Sequence, residues 1–348
     1  MTVDSAATIR VAPFAGEAIE WDRFMESAPG WTHFHRFGWR RVIEKVFGHE
    51  CIYLAARDDQ GTLVGVLPLV RVRSVLFGHF LVSMPFLNYG GPLGSAAAVQ
   101  ALAEAAVTLA HDSGVGVLEL RSRYALPLSM PASHRKITLV LDMPADDRAL
   151  WRALDAKVRS QIRRPQKDGI TVRFGADQVA PFFSVFSQHM RDLGTPTQSR
   201  ALFEAIAQEF GESCWFGCAY LRDIPVAAGC AFTWGGEVEM TWASSLVAYK
   251  KSAPNMLLYW NFMERAIHEG ITTFNFGRCS PDSGTHRFKK QWGARDEPLW
   301  WYGLAGRGEN AHTPSPNDSR YAWGPAIWRR LPTTLATAIG PRIVRYIP

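Results

Sequence analysis

Residues 216–234, FGCAYLRDIPVAAGCAFTW, decide how the chain is read, because residues 52–70, IYLAARDDQGTLVGVLPLV, follow the same plan. Each consists of two apolar runs around a short polar turn, near Asp59, Gln60 and Gly61 in the first copy, and so predicts a β-hairpin. Working outward, a further strand-like run follows each hairpin, HFLVSMPFL at 79–87 and EVEMTWASSL at 237–246. A loop and a helix-period stretch come next: SAAAVQALAEAAVTLAHDSG from Ser95 and APNMLLYWNFMERAIHEG from Ala253. Both stretches start near a capping-type residue and stop at a His-Asp/Glu-(x)-Gly signal. A strand closes each unit, VGVLELRSR at 115–123 and ITTFNFGRC at 271–279.

At one offset Ala55 aligns with Ala219 and Gly65 with Gly229. At a slightly smaller one His111 aligns with His268 and Arg121 with Arg278, as a small loop deletion would give. The ordered series predicts a duplicated domain of α+β class, each copy a mixed, mainly antiparallel sheet flanked by helices. The expected divisions are a first domain over 1–145, a basic helix linking the domains over 146–170, a second domain over 171–305, and a tail over 306–348 that packs back on the first domain.

A chain of 348 residues with 47% apolar content has enough material for two ordinary cores. The formal charge of +6 points to an anionic partner such as phosphate, nucleic acid or a membrane face. No window approaches the ~18 apolar residues of a membrane span, and the N-terminus lacks the pattern of a signal peptide. The expected location is cytoplasmic. Cys51, Cys214, Cys218, Cys230 and Cys279 are odd in number and show no C-x-x-C spacing. They suggest neither a disulfide framework nor a zinc site, and are expected to be reduced and mostly buried.

Between the copies lies DDRALWRALDAKVRSQIRRPQKDGI, residues 146–170. Leu150, Trp151, Leu154, Val158 and Ile162 recur at helical spacing, which predicts one helix capped by Asp146 or Asp147 and ended by Pro165. Lys157, Arg159, Arg163, Arg164 and Lys167 fall within eleven residues that contain no acid. A solvated face is the ordinary use of such a run, but the absence of acidic i,i+4 partners supports phosphate binding equally.

Other motifs have plainer uses. NYGGPLGS, residues 88–95, reads first as a tight turn between strand and helix, with Asn88 and Tyr89 as substrate contacts in the alternative. His33 and His35 have no ligand cluster beside them in sequence and are expected to take packing or surface roles. Ser283, His286 and Asp282 stand too close on one loop for a nucleophilic triad. GRCSPDSGTHRFKKQWGA, residues 277–294, is more informative. A strand delivers Asn275 and Arg278, a turn follows through Pro281, Ser283 and Gly284, and the returning segment brings Arg287, Lys289 and Lys290. Such crowding is costly unless a bound anion relieves it.

The combination of FGHECIYLAAR, NYGGPLG, KVRSQIRRPQKDGI, HMRDLGTP, FNFGRCSPDSGTHRFKKQWGA and LPTTLATAIGP resembles the FemAB-like transferases, most closely the branch associated with exosortase/PEP-CTERM and exopolysaccharide systems. The resemblance covers nearly the whole chain and is most specific from Phe288 to Gly293. It implies two tandem GNAT-like domains of the acyl-CoA N-acyltransferase type, in agreement with the repeat. It also implies an N-acyl or aminoacyl transferase acting on an amine of a peptidoglycan, exopolysaccharide or other cell-envelope precursor, nucleotide- or lipid-linked. The rival activities are a CoA-dependent acetyltransferase and a non-catalytic glycan-precursor-binding protein. No tightly bound cofactor or metal is implied. The donor is aminoacyl-tRNA or acyl-CoA, and a peripheral contact with the inner membrane face is among the partners.

Residue by residue, the family's F-K-x-x-F/W-G signature falls on Phe288, Lys289, Trp292 and Gly293, with Lys289 at the transfer site. Lys157, Arg159 and Arg163 correspond to the segment that holds precursor phosphates, and Trp39 and Arg40 to an early segment bordering the acceptor. Asp282, His286 and Tyr249 are the candidate bases, and Arg278 is a binding cation. The expected site is a cleft between or beside the two domains, lined by Arg278, Lys289 and the basic helix. Two departures bear on the donor. The helical arm that tRNA-dependent relatives often insert is not evident, and neither copy has the R/Q-x-x-G-x-G/A pyrophosphate loop of a CoA enzyme.

Overall fold

The computed structural model describes residues 8–305 and 324–348. In chain order the first elements are β1 (Arg10–Pro13), α1 (Ala18–Ser27), α2 (Gly38–Phe47), β2 (Glu50–Arg57), β3 (Leu63–Ser74), β4 (Gly78–Val82), β5 (Leu93–Gly94), α3 (Ala96–Asp112), β6 (Val117–Ser122) and β7 (Ala132–Ser133). There follow β8 (Ile137–Asp142), α4 (Asp147–Ala153), α5 (Ala156–Lys167), β9 (Ile170–Phe174), α6 (Val179–Leu193), α7 (Arg200–Phe210), β10 (Cys214–Leu221), β11 (Ile224–Trp234), β12 (Glu237–Ser245), α8 (Pro254–His268), β13 (Thr273–Cys279), α9 (Gly284–Lys290) and β14 (Arg295–Pro298). The chain ends with β15 (Trp300–Ala305), α10 (Gly324–Trp328) and α11 (Thr333–Val344). Of the described residues, 8–134, 298–305 and 346–348 form one compact unit, and 135–297 with 324–345 form a second.

Unit 1 holds a sheet of order β1-β2-β3-β4-β6-β15-β7, with β5 alongside β3. Unit 2 holds one of order β14-β8-β13-β12-β11-β10-β9. Both are mixed: β4 and β6 run parallel in the first and β12 and β13 in the second, among antiparallel neighbours. In each unit the helix of the repeat lies across the hairpin. A Cβ on Gly65 would stand 2.8 Å from the Cβ of Ala98 in α3, and one on Gly229 would stand 3.1 Å from the Phe262 ring in α8. The two aligned glycines therefore admit the two crossing helices. Leu54, Leu67, Leu102 and Ala106 share the first core, and Ala227, Met240, Leu258 and Phe262 the second.

The helix signals hold in part. Ser95 caps α3 by accepting from the Ala98 N–H at 3.2 Å. The glycines of the two stop signals, Gly114 (φ +62) and Gly270 (φ +75), take the left-handed conformation that ends a helix. At the start of α8 no side chain caps. Ala253 is itself left-handed, and Pro254 occupies the first turn, where its missing N–H costs nothing.

The segment after Asp146 is two helices rather than one. Asp146 caps α4 through the Ala149 N–H at 2.6 Å. The chain then turns extended at Leu154, because the Arg159 guanidinium donates to the Leu154 carbonyl, and at 3.5 Å to that of Arg152, serving the C-terminal carbonyls of α4. Nor does Pro165 end the second helix: it lies buried in the last turns of α5, which continues to Lys167. The described C-terminal residues also differ from expectation. Residues 324–345 belong to unit 2, where α10 and α11 lie on α6, and only 346–348 join unit 1, the Tyr346 ring standing 6.2 Å from that of His49. The rest of the tail lies outside the described residues. All five cysteines are free and buried.

Candidate functional site

In unit 2 the parallel strands β12 and β13 pair at three positions, Glu237 with Thr273, Val238 with Phe274 and Glu239 with Asn275, although both run on, to Ser245 and Cys279. Where they part, each carries a bulge. Opposite β11 the register slips at Thr241. Opposite β8 it slips between Asn275 and Arg278, so that Phe276 and Gly277 bulge, with Gly277 at φ +71. A bulge re-aims a strand end and is frequent beside functional sites.

The β13 bulge is held from two sides. Asn275 is wholly buried, and its Oδ1 accepts from the Gly277 N–H at 2.8 Å and the Thr138 hydroxyl at 2.6 Å, while its Nδ2 donates to Glu237 at 2.8 Å. From the other side comes Lys289. In the segment that returns after the turn, residues 284–290 form the helix α9, capped by Ser283 through the His286 N–H at 3.1 Å. The helix drops Lys289 inward, leaving it 3% exposed, and Nζ donates to the Gly277 carbonyl at 2.6 Å and the Arg278 carbonyl at 3.1 Å. Burial lowers its pKa from 10.5 to about 8, against the pull of Cys279 and Glu239.

The cations of this turn are relieved by the protein itself. Lys290 pairs with Asp296 at 3.1 Å and Arg287 donates to the Asp282 carbonyl at 2.8 Å. These two cations therefore need no bound anion to hold them, while Arg278 and Lys289 stay close to one another. What the sequence did not disclose is Lys136 on the approach to β8. It donates to Ser280 at 2.7 Å, and its pKa is lowered by burial and then by Arg278 and Arg135, so three cations crowd the end of β13 beside Lys289.

Among the expected bases, Asp282 and His286 stand on this turn and Tyr249 elsewhere, half-buried in the segment before α8. Asp282 is exposed and left-handed (φ +59). Its N–H donates to Nδ1 of His286 at 3.0 Å, and Nε2 of the same ring faces both Asp296 oxygens at 3.2 Å. Both imidazole nitrogens are thus engaged. Ser283 is a helix cap and not a nucleophile in a triad. Trp292 is 2% exposed and packs near Tyr259, Phe276 and Phe288, with no hydrogen-bond partner for its indole nitrogen among the described residues. With Leu141, Met143, Leu150 and Leu154 it walls a cavity of about 430 Å³.

The basic helix packs on α8 and β9. Lys157 and Arg163 are exposed, Arg163 lying 5.0 Å over the Trp151 ring, whereas Arg159 is spent on α4. In unit 1, Trp39 and Tyr89 are 1% and 0% exposed and Asn88 6%. Trp39 donates to the His33 carbonyl at 3.1 Å, and the NYGGPLG loop is pinned by the Gly90 N–H on the Arg121 carbonyl at 3.0 Å and by His35 on the Gly91 carbonyl at 3.0 Å. These three expected contacts are packed into unit 1, Trp39 and Tyr89 almost wholly and Asn88 with a small exposed remainder. Arg40 is half-exposed and paired with Glu44 at 3.0 Å. His33 and His35 are core residues whose pKa burial lowers, to about 4 for His35. Among the described residues no cluster of His, Cys, Asp and Glu could hold a metal, and no helix is long and apolar enough to cross a membrane.

Residues 152–290 match the family model described as an acetyltransferase (GNAT) domain. Among solved structures, FemX covers 84% of this chain and 97% of its own at a TM-score of 0.67 and 15% identity. The C-terminal domain of a putative lysylphosphatidylglycerol synthetase from Agrobacterium fabrum covers 83% and 92% at 0.55 and 12%. A tandem GNAT protein of the clavulanic acid biosynthesis pathway covers 87% and 100% at 0.53 and 12%. No curated protein matches the sequence significantly. The fold is thus the GNAT fold, and the matched domain in unit 2 makes the chain an acyltransferase.

Proposed function

We propose that the chain transfers an aminoacyl or other acyl group to an amine of a nucleotide- or lipid-linked cell-envelope precursor, and that unit 2 carries the chemistry. One observation carries this function: Lys289 holds a buried ammonium on the carbonyls of the bulge where β12 and β13 part. The likeness to FemX and the FKKQWG segment support it.

In aminolysis the amine nitrogen attacks the donor's ester or thioester carbon, and the carbonyl oxygen becomes an oxyanion. The tetrahedral intermediate then expels an alkoxide or thiolate, which leaves with the proton lost by the nitrogen. A fixed cation near that oxyanion lowers the barrier by about 3 kcal/mol. Lys289 supplies the charge at neutral pH, since its pKa remains about 8. The proton passes to the leaving group directly or through the exposed Asp282 carboxylate, because both nitrogens of His286 are engaged. Tyr249, before α8, is the remaining candidate. Arg278, with Lys136, attracts the anionic part of the substrate, and Lys157 and Arg163 meet phosphates along α5.

A CoA-dependent acetyl transfer is the second activity, favoured by the matched domain itself. The start of α8 fits a CoA pyrophosphate poorly, because Pro254 offers no N–H there and the Met256 N–H is taken by the Ala253 carbonyl at 2.9 Å. In unit 1 the side chain of Ser95 occupies the Ala98 N–H in the same way. Mass spectrometry of envelope precursors incubated with the purified protein and either charged tRNA or acyl-CoA separates the two. A gain of one acyl mass on an amine is expected from one donor, and its absence from both contradicts the proposal.

A further inference from the structure

α11 has two apolar stripes, of which one is covered. Ala336, Gly340 and Val344, spaced by four, are buried, and a Cβ on Gly340 would stand 2.9 Å from the nitrogen and 3.0 Å from the oxygen of Thr197. Leu335, Ile339 and Ile343 repeat that spacing one residue earlier. Leu335 is 43% exposed and the two isoleucines are half-buried. The patch extends to Ile327 in α10, 55% exposed, and to Leu193 at the end of α6, 50% exposed, whose carbonyl accepts from Arg329 at 3.2 Å. A helix face in water ordinarily carries charges or hydroxyls at such positions.

The charged side chains of the described residues 324–348 have one sign. Residues 324–348 contain Arg329, Arg330, Arg342 and Arg345 and no acidic residue. Asp192, at the end of α6, is engaged by Arg191 at 2.7 Å and offsets none of them. An apolar stripe on helices whose charged residues are all arginines suits a surface that has apolar depth beneath a layer of negative charge.

We propose that α10 and α11 form a docking surface for an anionic lipid bilayer, lying in the plane of the interface with Leu335, Ile339 and Ile327 below the headgroups and the arginines among the phosphates. The segment lies on the membrane and does not span it: α11 has 12 residues. The docking goes beyond the proposed transfer and does not depend on it, because binding is measured without donor or acceptor.

The test is co-sedimentation of the full chain with vesicles of equal parts phosphatidylcholine and phosphatidylglycerol, and with phosphatidylcholine alone. The protein binds the first and not the second, and added salt weakens the binding. Replacing Arg329→Gln and Arg330→Gln together weakens it roughly 25-fold, at about fivefold for each cation at the lipid surface, and Leu335→Ser weakens it about tenfold. All three side chains are exposed, so the variants keep the wild-type melting temperature. Free glycerol phosphate does not displace the protein. Displacement by it would overturn the proposal in favour of a phosphate site, as would no binding to either vesicle, or binding unchanged in the arginine variant. A dimer in solution that Leu335→Ser dissociates, without vesicle binding, would assign the face to a second copy and overturn it equally.

Discussion

Lys289→Met removes the buried ammonium while keeping an unbranched chain of similar length, and its effect on stability should depend on pH in a defined way. In the folded protein the amine releases its proton near pH 8, and when unfolded near 10.5. Between those values the unfolded state binds more protons, so wild-type stability rises with pH across the window. Below about pH 8 the full penalty of the buried charge stands. A shift of that size is worth about 3 kcal/mol in total, gained at up to about 1.4 kcal/mol per pH unit. The methionine variant lacks this contribution, and other titrating groups cancel in the difference between the two proteins. Urea unfolding of both at a series of pH values measures it. Stability of the wild type relative to the variant should climb from pH 8 toward 10.5. A flat difference would mean that the amine is solvated, and the bulge would then lose the cation on which the proposed chemistry rests.

Other consequences follow from single contacts. Asn275→Ala leaves the Thr138 hydroxyl, the Gly277 N–H and a Glu237 oxygen without their bonds in the core, and should cost about 3 kcal/mol in urea unfolding. Gly65→Val drives a branched side chain against Ala98 and Leu102, and should lower stability by about 2 kcal/mol, seen as a fall in melting temperature. A thiol reagent should modify none of the cysteines of the native protein at neutral pH and all five after denaturation, because burial holds Cys51 and Cys218 near 12, raises Cys230 and Cys279, and encloses all five.

What the sequence disclosed of this architecture came from local rules applied twice. Gly65 and Gly229 could be aligned because both crossing helices need the same missing side chain, and Gly114 and Gly270 because both helix ends need a left-handed residue. The α4–α5 break was hidden, because Arg159 reaches back to carbonyls that an unbroken periodicity conceals. The site was legible only as a segment. The FKKQWG spacing pointed to Lys289, but its burial depends on the short helix α9, which no sequence signal marked, and its partners lie on the bulge at the far end of the turn. Thr138 in β8 and Lys136 just before it are distant in the chain, and nothing local marks them. Trp39 and Tyr89 misled for the converse reason: their residue types suit a ligand surface, and only the packed core of unit 1 reveals that they have none.

The most direct test is the transfer rate of wild type and Lys289→Met under single turnover, with the donor that labels the acceptor. If the ammonium at the bulge stabilises the oxyanion, the variant folds and loses about 10²- to 10³-fold in rate, and the wild-type rate falls as pH rises through about 8. A folded variant that transfers at the wild-type rate would contradict the account.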